Sequence, residues 1–364
     1  GFLGLVVFLL PGFVWSEQTV SLDTLVAKYP ERQKQCLHDV AANIHAATAV
    51  RGLSRLFLQE DLERANADLI EFQSEGSALI SNSVYLRALV SFQTEEEKLY
   101  PKTRQHLESQ LGDFIAKNQE TLQSTLNDRL PEHQEILQLS TQYLWAQYIQ
   151  NATYEFTWKD KTPNAEKLAG FTQSLREWLD SHITYGVKDR SSPYYFYHLS
   201  ALINLRDFAQ DELIWKKAEA MIEILLGDMA LENFQGVWGG ARCRAFENLY
   251  PLAGNRLHYL FFGESTFHET DTGTDPTTLH FSHSNYVPPA PLLAIGANVQ
   301  ERGTYELKHR FYLNRQNGKP DEMGYKYAYV TPNYILSCFH LKNARVPFQT
   351  RPWDFLLMVD GNPV

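Results

Sequence analysis

The chain contains only three cysteines, Cys36, Cys243 and Cys338, and they lie far apart. Because no CxxC pair is present, zinc ribbons and thioredoxin-like redox chemistry are not expected, and an odd number of cysteines allows at most one disulfide. An excess of positive charge is also missing, since the formal net charge is −10 at pH 7. A basic nucleic-acid-binding surface is therefore not expected, and an acidic polysaccharide would need a local cluster of cations.

The signatures of several large enzyme classes are missing as well. The chain has no GxSxG elbow, no phosphate-binding P-loop and no GxGxxG motif, and His268-Glu269 lacks the second His that completes HExxH. Serine hydrolases of the triad type, nucleotide-dependent enzymes and zincins are therefore not indicated. No internal repeat is visible, which argues against TPR and HEAT solenoids.

Long apolar runs are confined to the beginning of the chain. Residues 1–16 carry no charge and are nearly all apolar, which is typical of a signal peptide. Pro11-Gly12 disfavours a stable helix there, and the run is too short to span a bilayer. Because no initiator Met or basic region precedes it, we interpret this leader as truncated at its N-terminus. We expect a mature chain without a membrane span that is secreted or periplasmic.

The remainder of the sequence shows two periodicities. From residue 31 to about residue 230, apolar residues recur with the period of an α-helix, which predicts helices joined by short loops. Past residue 303 the period shifts towards two, as in Tyr325-Lys326-Tyr327-Ala328-Tyr329, which predicts strands. We therefore expect a mainly helical protein up to about residue 300, followed by a β domain that has begun and been cut off.

Two glycine-bearing loops, at 185–195 and 236–244, stand at predicted helix ends and are rich in aromatic and polar residues. Helical toroids build carbohydrate grooves from loops of this kind. Trp238, Tyr194 and Tyr195 are candidate stacking platforms for sugar rings, because an aromatic ring offers a flat apolar face. The alternative is that these rings belong to the core.

Arg242 and Arg244 lie two residues apart, directly after two glycines. In an extended loop both side chains point to the same side and form a fork for a carboxylate or a sulfate. The alternative is an ion pair with Glu247 or with an acid on a neighbouring helix. We therefore treat both arginines as candidate substrate-binding residues.

Residues 263–296 show no periodicity and contain several Gly and Pro, which predicts a long ordered loop with a function. Within it, the run from His280 to Pro288 holds two His, an Asn and a Tyr. A lyase that acts beside a uronate carboxyl needs a base, a group that neutralises the carboxylate, and an acid for the leaving oxygen. His283, Asn285 or Arg242, and Tyr286 are candidates for these roles. The alternative is a polar loop whose side chains satisfy backbone groups.

Two further chemistries remain open. The first is a metal site, because imidazole with carboxylate suits zinc or manganese, although the spacing fits no standard site. Its candidate ligands are His268, Asp271, Asp275, His280 and His283. The second is glycoside hydrolysis by paired carboxylates, for which nothing in the spacing selects a pair. The candidate carboxylates are Asp189, Glu264, Glu269 and Asp271.

Together, the helices, the two loops and the strands after residue 303 resemble the secreted heparinase II/III-like and alginate-lyase-like proteins over residues 135–364. The resemblance implies an α/α toroid at 17–302, an incomplete barrel of helical hairpins, followed by the beginning of a truncated β-sandwich at 303–364. It also implies that Tyr and His act as acid and base while Asn, Glu or Arg neutralises the carboxyl. The matching positions are His283, Tyr286, Asn285 and Arg242. The chain departs from the family because residues 151–155, before Trp158, contain no Asn-His pair.

The function that the resemblance implies is cleavage of an acidic polysaccharide by β-elimination, without an organic cofactor and without a metal. Two alternatives remain, namely an α/α-toroid glycoside hydrolase and a non-catalytic protein that binds glycans or supports the cell envelope. The sequence predicts no nucleic-acid partner, and it does not indicate the glycan or the oligomeric state.

Overall fold

A computed structural model describes residues 21–71, 78–118, 131–187, 194–234, 236–241, 255–263, 275–298, 301–316, 319–341, 353–359 and 362–363. The described residues are mainly helical, with an antiparallel sheet at the C-terminal end. The helices are α1 Leu22–Ala27, α2 Tyr29–Ala42, α3 Thr48–Leu58, α4 Leu62–Glu71, α5 Ala78–Ser91, α6 Pro101–Asn118, α7 Glu132–Ile149, α8 Asn164–Tyr185, α9 Tyr195–Phe208, α10 Glu212–Glu232, α11 Asn255–Phe262, α12 Asp275–His283 and α13 Ala290–Ala297. The strands are β1 Asn233–Phe234, β2 Val237–Trp238, β3 Tyr305–Gln316, β4 Lys319–Val330, β5 Tyr334–Leu341, β6 Trp353–Val359 and β7 Asn362–Pro363.

Helices α7 and α9 lie in the interior, because almost every side chain of α7 and most of those of α9 are buried. Helix α7 packs against α5, α8 and α9, whereas α8 and α10 pack against each other on the outside. Helix α8 buries a single stripe that includes Leu175, Trp178 and Leu179, as expected for a helix with one face in solvent. The interior helices therefore carry polar side chains into the protein.

The helix ends follow local signals in the sequence. Pro131 and Pro163 occupy the N-cap positions of α7 and α8, where a missing N–H costs nothing. Gly186 ends α8 with a φ of 81°, a conformation that favours glycine. The side chain of Asp211 accepts hydrogen bonds from the first turn of α10. These ends place the N-termini of α7 and α9 beside the C-termini of α8 and α10.

The sheet has the order β3-β4-β5-β6-β7, and every neighbouring pair is antiparallel. One face packs on the short β1–β2 hairpin that follows α10, forming a second small core. Arg302 joins the two parts, because its guanidinium donates to the carbonyls of Ala230 and Leu231 at the end of α10. The apolar residues of this core are Phe234, Val237, Leu307, Ala328, Val330, Ile335 and Leu356.

The expected mainly helical class is confirmed, with a C-terminal antiparallel sheet whose first strand begins at Tyr305. The expected irregular loop at 263–296 is wrong over its described part, which contains α12 and α13. Helix α12 buries residues on several faces, so it shows no amphipathic period. No described helix combines the length and the apolar character needed to cross a bilayer. The predicted leader, 1–16, lies outside the described residues.

Candidate functional site

Tyr286, one of the predicted catalytic residues, lies in the core with an exposed fraction of 1%. Its ring packs edge-on against Phe281, and the guanidinium of Arg206 lies 5.5 Å from the ring centre. The hydroxyl has no hydrogen-bond partner among the described residues. Burial raises the pKa of Tyr286, and the positive charge of Arg206 offsets this only in part. A buried phenol with a raised pKa does not suit the acid role that the resemblance implies for Tyr286.

His283 and Asn285, the two other predicted catalytic residues, lie at the protein surface. The His283 ring stacks on Phe57 at 3.3 Å between ring centres, and the residue is exposed. Loss of hydration against Phe57, and then the positive charge of Arg87, lower the pKa of His283. The amide oxygen of Asn285 accepts a hydrogen bond from Arg206.

The segment around these residues is held by an ionic network in the helical core. Ser284 donates a hydrogen bond of 2.6 Å to Asp207, which also forms an ion pair with Arg87 at 2.6 Å. Arg87 is almost completely buried and donates to Asn204 as well. The buried His280 contacts the hydroxyl of Ser200 through Nδ1 at 2.8 Å. These contacts favour the alternative of a structural polar segment.

Two of the three predicted stacking platforms are wrong, because Trp238 and Tyr195 are buried. The indole N–H of Trp238 donates to Glu232 at 2.8 Å, and the hydroxyl of Tyr195 donates to Asp228 at 3.0 Å. Buried Trp and Tyr usually find such partners for their polar tips. Tyr194 remains partly accessible.

The two buried tyrosines lead to a paired prediction about stability. We expect Tyr286→Phe to change the free energy of unfolding by less than about 1 kcal/mol, because its hydroxyl makes no hydrogen bond to lose. Tyr195→Phe removes a bond to a buried carboxylate and should cost about 1.5–3 kcal/mol. Urea denaturation of both variants measures the difference. A larger loss for Tyr286→Phe would contradict the contacts described for the two hydroxyls.

The other predicted residues lie outside the described part of the chain. Arg242 and Arg244 follow directly after the described segment 236–241, and the candidate carboxylates for hydrolysis fall at 188–193 and 264–274. Of the five candidate metal ligands, His268 and Asp271 are also outside the described residues. Within the described ranges, no group of three or more His, Cys, Asp or Glu is arranged to hold a metal ion.

A cluster that the sequence did not indicate lies where α7 begins and α8 ends. Glu132, in the first turn of α7, contacts His182 Nε2 at 2.6 Å and His198 Nε2 at 3.5 Å. Both histidines are completely buried. Trp178 stacks on His182 and donates its indole N–H to Glu135 at 3.2 Å. We refer to Glu132, His182 and His198 as the Glu132 cluster.

Hydrogen bonding fixes the protons in the Glu132 cluster. The Nδ1 atoms of His182 and His198 face the backbone carbonyls of Trp178 and Tyr194, so each Nδ1 carries a hydrogen. Burial alone would raise the pKa of Glu132, but the charges and hydrogen bonds of the two histidines hold it well below its usual value. Glu132 is therefore an ionised carboxylate, and His182 donates to it through Nε2 as an imidazolium.

This arrangement makes acid stability depend on Glu132. A carboxyl whose pKa is depressed in the folded state stabilises the fold above its unfolded pKa, and this contribution disappears as pH falls through the folded value. We expect Glu132→Gln to lower the free energy of unfolding by about 3 kcal/mol near neutral pH. This loss should become smaller below about pH 4.5. Unfolding free energies measured from neutral to acid pH test this.

Glu63→Gln is a matched control, because Glu63 also lies in the first turn of a helix but is exposed. It should cost less than about 1 kcal/mol at every pH. A Glu132→Gln penalty that stays constant down to acid pH would contradict the depressed pKa of Glu132.

His133 and Tyr194 meet beside the Glu132 cluster. Their rings stack with centres 4.0 Å apart and planes inclined by 13°. Tyr197 lies 5.5 Å from the same imidazole, and His198 lies 6.5 Å away. Tyr194 immediately precedes α9, and His133 occupies the first turn of α7, so two helix N-termini bring the rings together. The imidazole and the phenol are in ring contact, and each is a group that can take up and release a proton.

A second charged cluster joins α10 to the sheet. Asp228 and Glu232 lie one turn apart on α10, and His309 and Lys326 are directly opposite each other on β3 and β4. Lys326 contacts Glu232 at 2.5 Å with both side chains fully buried, and His309 lies 3.7 Å from Asp228. Burial would raise the pKa of Glu232, but Lys326 and His309 lower it. We refer to these four residues as the α10–sheet cluster.

The two clusters meet at one end of the helices. The Tyr195 ring lies 5.1 Å from Trp238 and 6.3 Å from His198, and its hydroxyl binds Asp228. This end therefore combines a His–Tyr pair, ionised carboxylates and aromatic rings beside the sheet. The two glycine-bearing loops begin here, at Gly186 and Gly236. In the sequence, these two loops at predicted helix ends were the only feature that indicated this region.

No protein-family model, curated protein or solved structure matches the chain. The resemblance to heparinase II/III-like and alginate-lyase-like proteins therefore stays a prediction. The observations that bear on function are the positions of the ionisable and aromatic side chains at this end of the helices.

Proposed function

We propose that this chain is a secreted polysaccharide lyase that cleaves a uronate-containing glycan by β-elimination, with His133 and Tyr194 as its proton-transfer pair. The observation that carries the proposal is the stacking of these two rings, 4.0 Å apart, at the sheet-facing end of the helices. Tyr194 is partly accessible there and covers His133, which has an exposed fraction of 6%, whereas the earlier candidate Tyr286 is 1% exposed. The proton-transfer roles therefore move from His283 and Tyr286 to His133 and Tyr194.

The proposed architecture is an α/α toroid followed by a β-sandwich. Contacts between α7 and α9 on the inside, and between α8 and α10 on the outside, support it, because alternate helices of a toroid form inner and outer layers. In such an arrangement one end of all the inner helices opens towards a single cleft. The His133–Tyr194 pair and the α10–sheet cluster lie at that end, so the sheet forms the second wall of the cleft.

The chemistry assigns each group one role. The imidazole of His133 removes the proton at C5 of the uronate, and the electron pair forms the C4–C5 double bond. The bond from C4 to the leaving oxygen breaks, and Tyr194 gives that oxygen a proton. Solvent returns a proton to Tyr194 and accepts one from His133, which restores both groups without a cofactor.

Arg242 is the proposed partner of the uronate carboxylate, with Arg244 beside it. A guanidinium that binds the carboxylate stabilises the negative charge that develops when the C5 proton leaves. The position of Arg242 in the chain supports this role, because it follows the buried Ala241, whose N–H donates to Ser337 on β5. This anchor lies next to the α10–sheet cluster.

The two described carboxylates Glu132 and Glu232 do not suit the acid role of a glycosidase. A glycosidase needs one carboxyl group that is protonated at neutral pH, and such groups have raised pKa values. The pKa values of Glu132 and Glu232 are both lowered by their cationic partners. The histidine and the tyrosine are therefore better suited to proton transfer than either of these acids.

The proposal is tested by incubating the protein with alginate, heparan sulfate, chondroitin, ulvan and a neutral glycan. A lyase yields one unsaturated uronate for every new reducing end, so ultraviolet absorbance and a reducing-end assay should rise together. New reducing ends without unsaturation would identify a hydrolase. Binding of a glycan without any product would identify a non-catalytic glycan-binding protein, and either result would overturn the proposal.

A further inference from the structure

A pocket of about 460 Å³ lies between α1, α2, α11 and α13, and none of its residues belongs to the site described above. Its polar side chains include Lys28, Arg32 and Gln35, and its walls include the apolar Leu25 and Phe262. The volume falls within the range of small-molecule sites, which combine apolar walls with a few fixed polar groups.

Arg32 is the central feature of this pocket, because the side chain is 94% buried and has no carboxylate partner among the described residues. Its Nε donates to the carbonyl of Leu260 at 2.8 Å, and its Nη2 donates to the carbonyls of Leu25 and Phe261 at 3.2 Å. A guanidinium has five N–H groups, and these contacts use three of them. The two on Nη1 make no hydrogen bond within the described part of the chain.

The position of Nη1 suits a ligand. Gly263 borders the pocket with a φ of 77°, and a Cβ placed on it would lie 3.9 Å from Nη1. The missing side chain therefore leaves space beside the unused donors. The side chains around the pocket carry two cations, Lys28 and Arg32, and one carboxylate, Glu31, which leaves a single positive charge. A partner with one negative charge matches that balance.

We propose that this pocket binds a small molecule that carries one carboxylate on an apolar body. The carboxylate accepts hydrogen bonds from Nη1 of Arg32 and faces Lys28, while the body packs against Leu25, Phe262 and Ala297. Tyr259 and Gln35 border the space between the two regions. The proposal does not depend on the lyase activity, because the two sites share no residue.

Isothermal titration calorimetry with phenylbutyrate as the probe tests the proposal on the whole chain. We expect saturable binding that is at least about tenfold tighter than that of the neutral phenylbutanol, since the alcohol lacks the charge-assisted hydrogen bonds. Lys28→Ala should weaken binding about fivefold, as for an exposed charge pair. Lys34→Ala, which changes an exposed lysine of α2 that does not line the pocket, should leave binding unchanged.

Arg32→Gln should weaken phenylbutyrate binding more than tenfold, by about the factor expected for a charged hydrogen bond. Arg32 also donates hydrogen bonds to carbonyls near the ends of α1 and α11, so Arg32→Gln could prevent folding. In that case the Lys28→Ala result decides the test. Absence of saturation, or equal affinity for phenylbutanol, would overturn the site. Tighter binding of inorganic phosphate or glucuronate than of phenylbutyrate would overturn the assignment of an apolar carboxylate.

Discussion

The His133→Gln variant is expected to lose at least about a hundredfold in the rate of glycan cleavage, because it removes the base that takes the C5 proton. Gln keeps the polarity and approximate size of the side chain, so substrate affinity should change little, and a thermal unfolding curve checks that the variant folds at this buried position. The measurement is the initial rate of unsaturated-product formation, compared with glycan affinity from calorimetry.

His283→Gln is the matched control for this prediction. It also replaces a histidine by glutamine, but at an exposed position that stacks on Phe57, away from Tyr194. Its rate should stay within about threefold of the parent, well short of the hundredfold expected for loss of a base. If His283→Gln abolished cleavage while His133→Gln did not, the base would be His283 and the proposed pair would be wrong.

Lys326→Met is expected to cause the largest loss of stability, about 3–5 kcal/mol, because it leaves the carboxylate of Glu232 buried without its cation. Lys308→Met is the matched control on the neighbouring strand, where an exposed lysine pairs with Glu306. Exposed pairs contribute at most about 1 kcal/mol, so this variant should unfold almost as the parent does.

A double variant identifies the cause of that loss. Adding Glu232→Gln to Lys326→Met removes the uncompensated charge while retaining an oxygen that can accept from Trp238. Part of the lost stability should therefore return. Guanidinium unfolding of the parent, Lys326→Met, Lys308→Met and the double variant gives the four free energies of unfolding. Equal losses for Lys326→Met and Lys308→Met would contradict the buried ion pair.

The elements of the fold could be predicted from the sequence where the signal is local. The apolar period of α8, the prolines that begin α7 and α8, and the alternation in β4 each follow from neighbouring residues. Helix α12 gave no such signal, because residues on opposite faces, such as Leu279 and Phe281, are both buried. A helix that is covered on several sides loses its amphipathic pattern.

The candidate site could not be predicted, because its residues come together only in the folded chain. Glu132 and His182 are 50 residues apart in sequence, and Asp207 and Ser284 are 77 apart. The first contact builds the buried Glu132 cluster, and the second holds the segment before Tyr286 against the helical core. The local density of His, Asn and Tyr at 280–286 therefore indicated a functional loop where the contacts are structural.

The claim that the protein cleaves by β-elimination is tested most directly by digesting a glycan substrate in water enriched in heavy oxygen. Elimination breaks the bond between C4 and oxygen without adding water, so the account predicts unsaturated products and new reducing ends without the heavy isotope at the moment of cleavage. Mass spectrometry of oligosaccharides quenched early, corrected for exchange in an undigested control, reads both features. Saturated products that carry one heavy oxygen at each new end would show hydrolysis and contradict the proposed lyase.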